Sequence, residues 1–150
     1  MKTTFYMVRH GQPDWGWAET MRFFGPCSAY MPLTPLGVEQ IEHTACDPQL
    51  RGAAFILASP YTRTMQSAQI LSRRLDLPVT VEWDLHEWLY DRDMKGDLPT
   101  PEERFGREDM TRCFFFYMEH DELTGEDNCE TAAVIADRVL GCLRRYDGQA

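Results

Sequence analysis

Ala53-Ala54-Phe55-Ile56-Leu57-Ala58-Ser59-Pro60-Tyr61-Thr62-Arg63-Thr64-Met65-Gln66-Ser67-Ala68 reads as a strand, a sharp turn and a helix. Residues 53–58 are continuously apolar, the pattern of a strand covered on both faces in a parallel sheet. Ser59-Pro60 starts a helix on which Met65, Ala68, Leu71 and Leu75 share a face, and Leu77-Pro78 opens a short strand through Val81. Toward the N-terminus, Thr34-Pro35 supplies a hydroxyl cap and a proline at the first helical position. Val38, Ile41 and Ala45 then recur at helical spacing until Pro48. Residues 3–8 are rich in β-branched and aromatic side chains and predict another buried strand, ending at Arg9-His10-Gly11. The order β-α-β-α-β predicts an α/β fold with a mostly parallel central sheet.

Between the first strand and Thr34, Pro13, Gly16, Gly25, Pro26 and Pro32 punctuate a long connection that predicts a functional loop without regular structure. Its aromatics, Tyr30 among them, must cover something; Trp15, Trp17, Phe23 and Phe24 are expected mostly to pack over the sheet, an apolar rim for a substrate body being the alternative. Beyond Val81 the regularity fades, then returns at Thr100-Pro101-Glu102-Glu103, a capping box that predicts a helix to about Glu119 and includes Cys113 and the apolar run 114–118. Asp127 with Glu130 three residues on announces a last helix with Val134, Ile135, Val139, Leu143 and Tyr146 on one face, stopping at Asp147-Gly148. Without a linker, repeat or low-complexity tract, residues 1–150 read as a single domain.

Fifteen Lys and Arg against 24 Asp and Glu give a net charge of −9, which disfavours nucleic acid or an anionic membrane as a partner. No apolar run approaches the roughly 18 residues of a membrane span. The five cysteines are odd in number, widely spaced and lack any Cys-x-x-Cys, arguing against a disulfide framework or a zinc site. With no secretory leader visible, a cytoplasmic location is expected.

A histidine directly after a buried strand lies at the carboxyl edge of a parallel sheet, where α/β proteins place ligands. His10 sits there between an arginine able to grip an anion and a glycine that allows close backbone approach. Arg63 falls in the first turn of a helix starting from the same edge. Because the helix dipole does not favour a cation there, Arg63 either pairs with a local carboxylate or serves an anionic ligand. His43 and His120, among charged neighbours on predicted helices, read as solvated.

Arg9-His10-Gly11, Pro32-Leu33-Thr34-Pro35-Leu36-Gly37 with Gln40, the run from Ser59 to Ala68, and Leu85-His86-Glu87 follow one another in the order and spacing of the histidine phosphatase superfamily, which this sequence resembles. The resemblance implies a phosphoglycerate mutase-like three-layer α/β/α fold and metal-independent phosphomonoester hydrolysis. His10 would be the nucleophile that becomes phosphohistidine, Arg9 and Arg63 the catalytic phosphate-binding cations, and Glu87 the general acid. Gly11, Gln12 and His86 would contact the substrate, a small phosphorylated molecule, without a cofactor. Glu130 matches a recurrent glutamate of the family, and helix capping explains it equally well.

The same resemblance implies a second catalytic histidine in a His-Gly motif following an apolar inner strand after the last helix. His10-Gly11 is the only His-Gly pair in these 150 residues. The expectation is therefore a domain truncated at its C-terminal end, an incomplete sheet with exposed edges through which copies could self-associate, and impaired activity. A non-catalytic remnant that binds phosphorylated ligands or a protein is the alternative. Phosphoglycerate mutase activity is disfavoured by Trp88-Leu89-Tyr90-Asp91, where the mutases carry a basic sequence.

Overall fold

Parallel pairing joins β1 (Ile56–Ala58) to β2 (Val79–Val81), with Ile56 opposite Val79 and Ala58 opposite Val81. The computed structural model describes residues 3–21, 29–89 and 130–149. The Ile56 N–H donates to Pro78 O and the Glu82 N–H to Ala58 O, so the ladder extends one residue beyond each end of β2. The crossover between the strands is α3 (Thr62–Leu75), which buries Arg63, Ser67, Ala68 and Leu71. Its last turn carries Arg73 and Arg74, favourable against the helix dipole, and it stops where Asp76 takes a left-handed conformation at φ 55°. Helix, parallel strands and crossover are the α/β arrangement predicted, although the observed strands and helix begin one to three residues later than the sequence signals suggest.

Helix α2 (Pro35–Thr44) starts as its sequence dictates: the Thr34 hydroxyl accepts from the Gly37 N–H at 3.0 Å, and Pro35 occupies the first turn. The apolar face differs by one position. Val38 is exposed, while Gly37, Ile41 and Ala45 form the buried line, because the backbone at Gln12 crosses the helix at Gly37. Ile41 and Ala45 join Leu33, Leu50 and Leu71 in the core, with Ile56, Ile70 and Leu75 packed against it. Each such leucine or isoleucine contributes about 1.5–3 kcal/mol when fully buried. This cluster joins the C-terminal parts of α2 and α3.

Two expectations are corrected. Residues 3–8 form no strand; Tyr6, Met7 and Val8 are exposed, and no backbone hydrogen bond joins residues 4–9 to anything among the described residues. High strand propensity specifies a strand only when a neighbour accepts its ladder, and the two-stranded sheet offers none here. The connection after Gln12 is not devoid of regular structure: it contains α1 (Trp15–Thr20), whose Trp17 N–H is capped by Asp14 Oδ1 at 3.0 Å, and an antiparallel bridge from Pro13 to Leu33. Phe23, Phe24, His120 and the helix expected over 100–119 lie outside the described residues.

The last helix, α4, spans Ala132–Tyr146. Its entry hydroxyl is Thr131, which accepts from the Val134 N–H, and its exit is Gly148 at φ 78°. The chain divides into two compact units, Met1–His86 with Gly141–Ala150, and Glu87–Leu140. Within the first, Tyr146 packs against Phe55 with ring centroids 5.4 Å apart, and the Gly148 N–H donates to Thr3 Oγ1. Among the described residues no helix is long and apolar enough to cross a membrane.

Candidate active site

His10 lies half-buried at the start of the tight segment His10-Gly11-Gln12. Its Nδ1 is 2.7 Å from the Gly11 carbonyl oxygen, which can only accept, so the ring proton resides on Nδ1. That assignment leaves a lone pair on Nε2. Arg63 Nε donates to it at 3.2 Å, closing the geometry of a neutral imidazole with its second nitrogen directed at a guanidinium.

Arg63 reaches this position because α3 begins at the carboxyl end of β1. The arginine is only 7% exposed, and its guanidinium carbon lies 4.7 Å from the ring centroid of Tyr61, the residue preceding the helix. Thr64 Oγ1 donates to the Ser59 and Tyr61 carbonyls, fixing the entry turn. One turn further, buried Ser67 donates to the Arg63 carbonyl at 2.8 Å and accepts the Gly11 N–H at 3.3 Å. The arginine's helix and the histidine's loop are thus tied together by one hydroxyl.

Residues after His10 are held from α2. A Cβ at Gly11 would stand 2.2 Å from the Gly37 carbonyl oxygen, and one at Gly37 would stand 2.4 Å from the Gln12 carbonyl oxygen. Real Cβ atoms do not approach so closely, so glycine is required on both sides of the crossing. Gln40 Oε1 accepts the Gln12 N–H at 2.9 Å, Gln12 O accepts the Thr34 N–H at 2.9 Å, and Gln12 Oε1 accepts from the Thr34 hydroxyl. Gln66 on α3 completes the frame by accepting the Leu33 N–H at 2.7 Å.

The other residues singled out from sequence are placed differently. Arg9 is exposed and makes no hydrogen bond or ion pair among the described residues, so Arg63 is the arginine that the structure sets against His10. The Gln12 side chain is engaged by Thr34, and the half-buried His86 ring lies 5.8 Å from that of Trp83. Glu87 is exposed and belongs to the second compact unit. There, Glu130 is 4% exposed and takes two hydrogen bonds from Arg138, at 2.8 and 3.0 Å, and one from the Leu89 N–H. Its own N–H donates to Leu89 O, its carbonyl accepts from Trp88 Nε1, and Arg138 also reaches the Glu87 carbonyl at 3.5 Å. Glu130 therefore braces the segment bearing Glu87, and Thr131, not Glu130, marks the helix entry.

Sequence reasoning missed Ser67, Gln66 and Arg138. Ser67 falls four residues after Arg63, on the same helical face, which is the one signal that could have raised it. Arg138 carried none, since its partner is chosen by the fold. Among the described residues no group of three or more His, Cys, Asp and Glu converges as a metal site.

Comparison with known proteins reveals a probable phosphoglycerate mutase of Proteus mirabilis (strain HI4320), 33% identical over 82 residues, spanning 55% of this chain and 36% of that protein. Among solved structures, mycobacterial glucosyl-3-phosphoglycerate phosphatase in complex with inorganic phosphate superimposes with a TM-score of 0.60 at 22% identity, covering 92% of this chain and 59% of that one. A putative α-ribazole-5′-P phosphatase from Escherichia coli str. K-12 substr. MG1655 gives a TM-score of 0.58 at 21% identity, covering 93% of this chain and 64% of that one. The chain thus spans about a third of the mutase and about three fifths of each of these phosphatases. The fold is theirs in common, and the sequence match to the histidine phosphatase superfamily (branch 1) runs over residues 5–150, so this chain belongs to that superfamily.

Proposed function

We propose that this chain hydrolyses phosphomonoesters through a phosphohistidine on His10. The observation that carries the reading is the pairing of a lone-pair nitrogen, His10 Nε2, with the buried guanidinium of Arg63. Neutral imidazole is nucleophilic toward phosphorus, and a planar, permanently charged donor beside it matches the oxygens of a phosphoryl group.

In this scheme the phosphoryl group enters between the two side chains. Arg63, keeping its proton, shifts its Nε–H hydrogen bond from Nε2 to a phosphoryl oxygen, freeing the lone pair as it binds the anion. Nε2 then attacks phosphorus, the ester P–O bond breaks, and the departing oxygen takes a proton from Glu87. In the second half, the Glu87 carboxylate accepts a proton from water as the water oxygen attacks phosphorus. The P–N bond breaks with its electron pair returning to Nε2. The protein's contribution is positioning and charge stabilisation. Glu87 enters through its place after Leu85-His86 in the family pattern, and Arg9, Gly11, Gln12 and His86 as substrate contacts on the same ground.

Hydrolysis of an aryl phosphate in EDTA, beside the His10→Ala variant, tests the reading. Activity that persists in chelator and disappears in the variant supports it; equal rates for the two proteins would defeat it. Binding of inorganic phosphate by a turnover-silent chain would instead support the non-catalytic binding alternative.

A further inference from the structure

The nitrogen available to attack is decided by which ring nitrogen carries the proton, and that depends on one carbonyl. His10 Nδ1 donates to the Gly11 oxygen at 2.7 Å. This carbonyl belongs to the same planar peptide group as the Gln12 N–H. In a trans peptide the two point in opposite directions and turn together, and the described chain has no cis bond. On the far side of that plane the Gln12 N–H donates to Gln40 Oε1 at 2.9 Å. A side chain on α2 therefore holds the peptide whose oxygen holds the imidazole.

We propose that Gln40 is a positioning residue that fixes the tautomer of His10 through the Gly11–Gln12 peptide group. The proposal's relevance to turnover rests on the reading of His10 as nucleophile. Three observations support the linkage. The preceding peptide is tied independently, its Gly11 N–H donating to buried Ser67, so the plane swings through the Cα–C bond of Gly11 and the N–Cα bond of Gln12. Gly11 is jammed against Gly37, which removes translation as an escape. Finally, a peptide N–H that donates makes its own carbonyl a better acceptor, because hydrogen bonds in a chain polarise one another. Loss of the Gln40 oxygen frees the plane and weakens the acceptor, admitting the tautomer protonated on Nε2, which has no lone pair there for phosphorus.

A glutamine that only tethered a loop would affect stability and leave the ring proton alone. Gln40 is exposed on a helix, so replacements there are compatible with folding. The test is long-range 1H–15N NMR of the 15N-labelled 150-residue chain, at a pH where imidazole is neutral. Wild type, Gln40→Ala and Gln40→Glu are compared, with His10 assigned by its loss in His10→Asn and folding checked by thermal melting. Wild type is expected to be protonated on Nδ1. Gln40→Ala should move the tautomer ratio toward Nε2–H by roughly three- to tenfold, the worth of one net hydrogen bond. Gln40→Glu, whose carboxylate also accepts the N–H, should restore the wild-type signature. An unchanged ratio in Gln40→Ala, or a Gln40→Glu spectrum like that of the alanine variant, overturns the proposal. Inorganic phosphate is then titrated into wild type: a His10 signal indifferent to phosphate overturns the nucleophile reading separately, leaving the tautomer result standing.

Discussion

Arg63 Nε donates to His10 Nε2 across 3.2 Å, although 53 positions separate the two residues in the chain. The guanidinium is the group expected to bind a phosphoryl oxygen, so Arg63→Ala should weaken binding of inorganic phosphate about 10- to 100-fold, the range for a charge-assisted hydrogen bond. Arg63→Lys should recover little of it, because a point charge replaces the planar fork. Calorimetric titration checks both, and undiminished affinity in the alanine variant would remove Arg63 from the site.

The crossing of Gly11 over Gly37 predicts a position-specific cost. Gly37→Ala forces a methyl group against the Gln12 backbone and should destabilise the protein by about 1–3 kcal/mol or more. Gly141 lies inside α4, where an added methyl group would meet nothing within 4 Å among the described residues, and should instead gain about 0.5–1 kcal/mol on substitution by alanine. Paired urea melts distinguish the two, and equal effects would mean that the close approach does not matter.

Acid and alkali should both loosen the anchor at the end of α4. Tyr146 donates to Glu82, which also pairs with Arg145; the tyrosine hydrogen bond, followed by the arginine, holds the Glu82 carboxyl below its ordinary value near 4.5. A carboxylate depressed in the folded state stabilises above its unfolded value, and this contribution fades as pH falls through the lowered one. The same hydrogen bond raises the Tyr146 hydroxyl above its ordinary value of 10.0, so its contribution is complete below that value and fades as pH rises through the raised one. Tyr146→Phe should therefore flatten the stability profile at both extremes. Melting temperatures across the pH range test this; a variant curve parallel to wild type would exclude the bond as the cause.

Glu130 and Arg138 form a buried pair, 5% and 12% exposed at their side chains. Removing one partner strands the other charge, so Glu130→Ala or Arg138→Ala should each cost about 3–5 kcal/mol, whereas Glu130→Met with Arg138→Leu should cost much less than the sum. A double-mutant cycle by chemical denaturation measures the coupling. Additive losses would show that the ion pair does not act as a unit.

Tyr6, Met7 and Val8 are exposed on a segment that makes no backbone–backbone hydrogen bond among the described residues, and self-association between copies is proposed to run through it. Sedimentation should reveal concentration-dependent self-association that Met7→Lys reduces. A monomer at all concentrations would exclude it.

Local chemistry made much of the fold legible. The Thr34-Pro35 cap, the continuous apolar run around β1 and the stop at Gly148 all follow from patterns within a few residues, and a helix between two strands implied their parallel pairing. His10 and Arg63 were legible as candidates because both fall at carboxyl ends of expected strands. Their contact was not legible, since sequence gives no distance between two strand ends. Residues 3–8 show the opposite failure: strand propensity was present, but a ladder needs a neighbour, and the described fold supplies none.

Sequence by itself determined the family, the α/β class and the residue types needed for phosphoryl chemistry, because these are carried by short motifs and by periodic patterns of apolar residues. Tertiary structure decided which arginine meets the imidazole, which nitrogen holds its proton and which side chains fix the loop between them. Arg63, Ser67, Gln40 and Gly37 come from two helices and act on three consecutive residues, His10, Gly11 and Gln12. Hydrogen bonds of about 3 Å between such distant positions depend on how the core packs α2 against α3, and no local pattern encodes that packing.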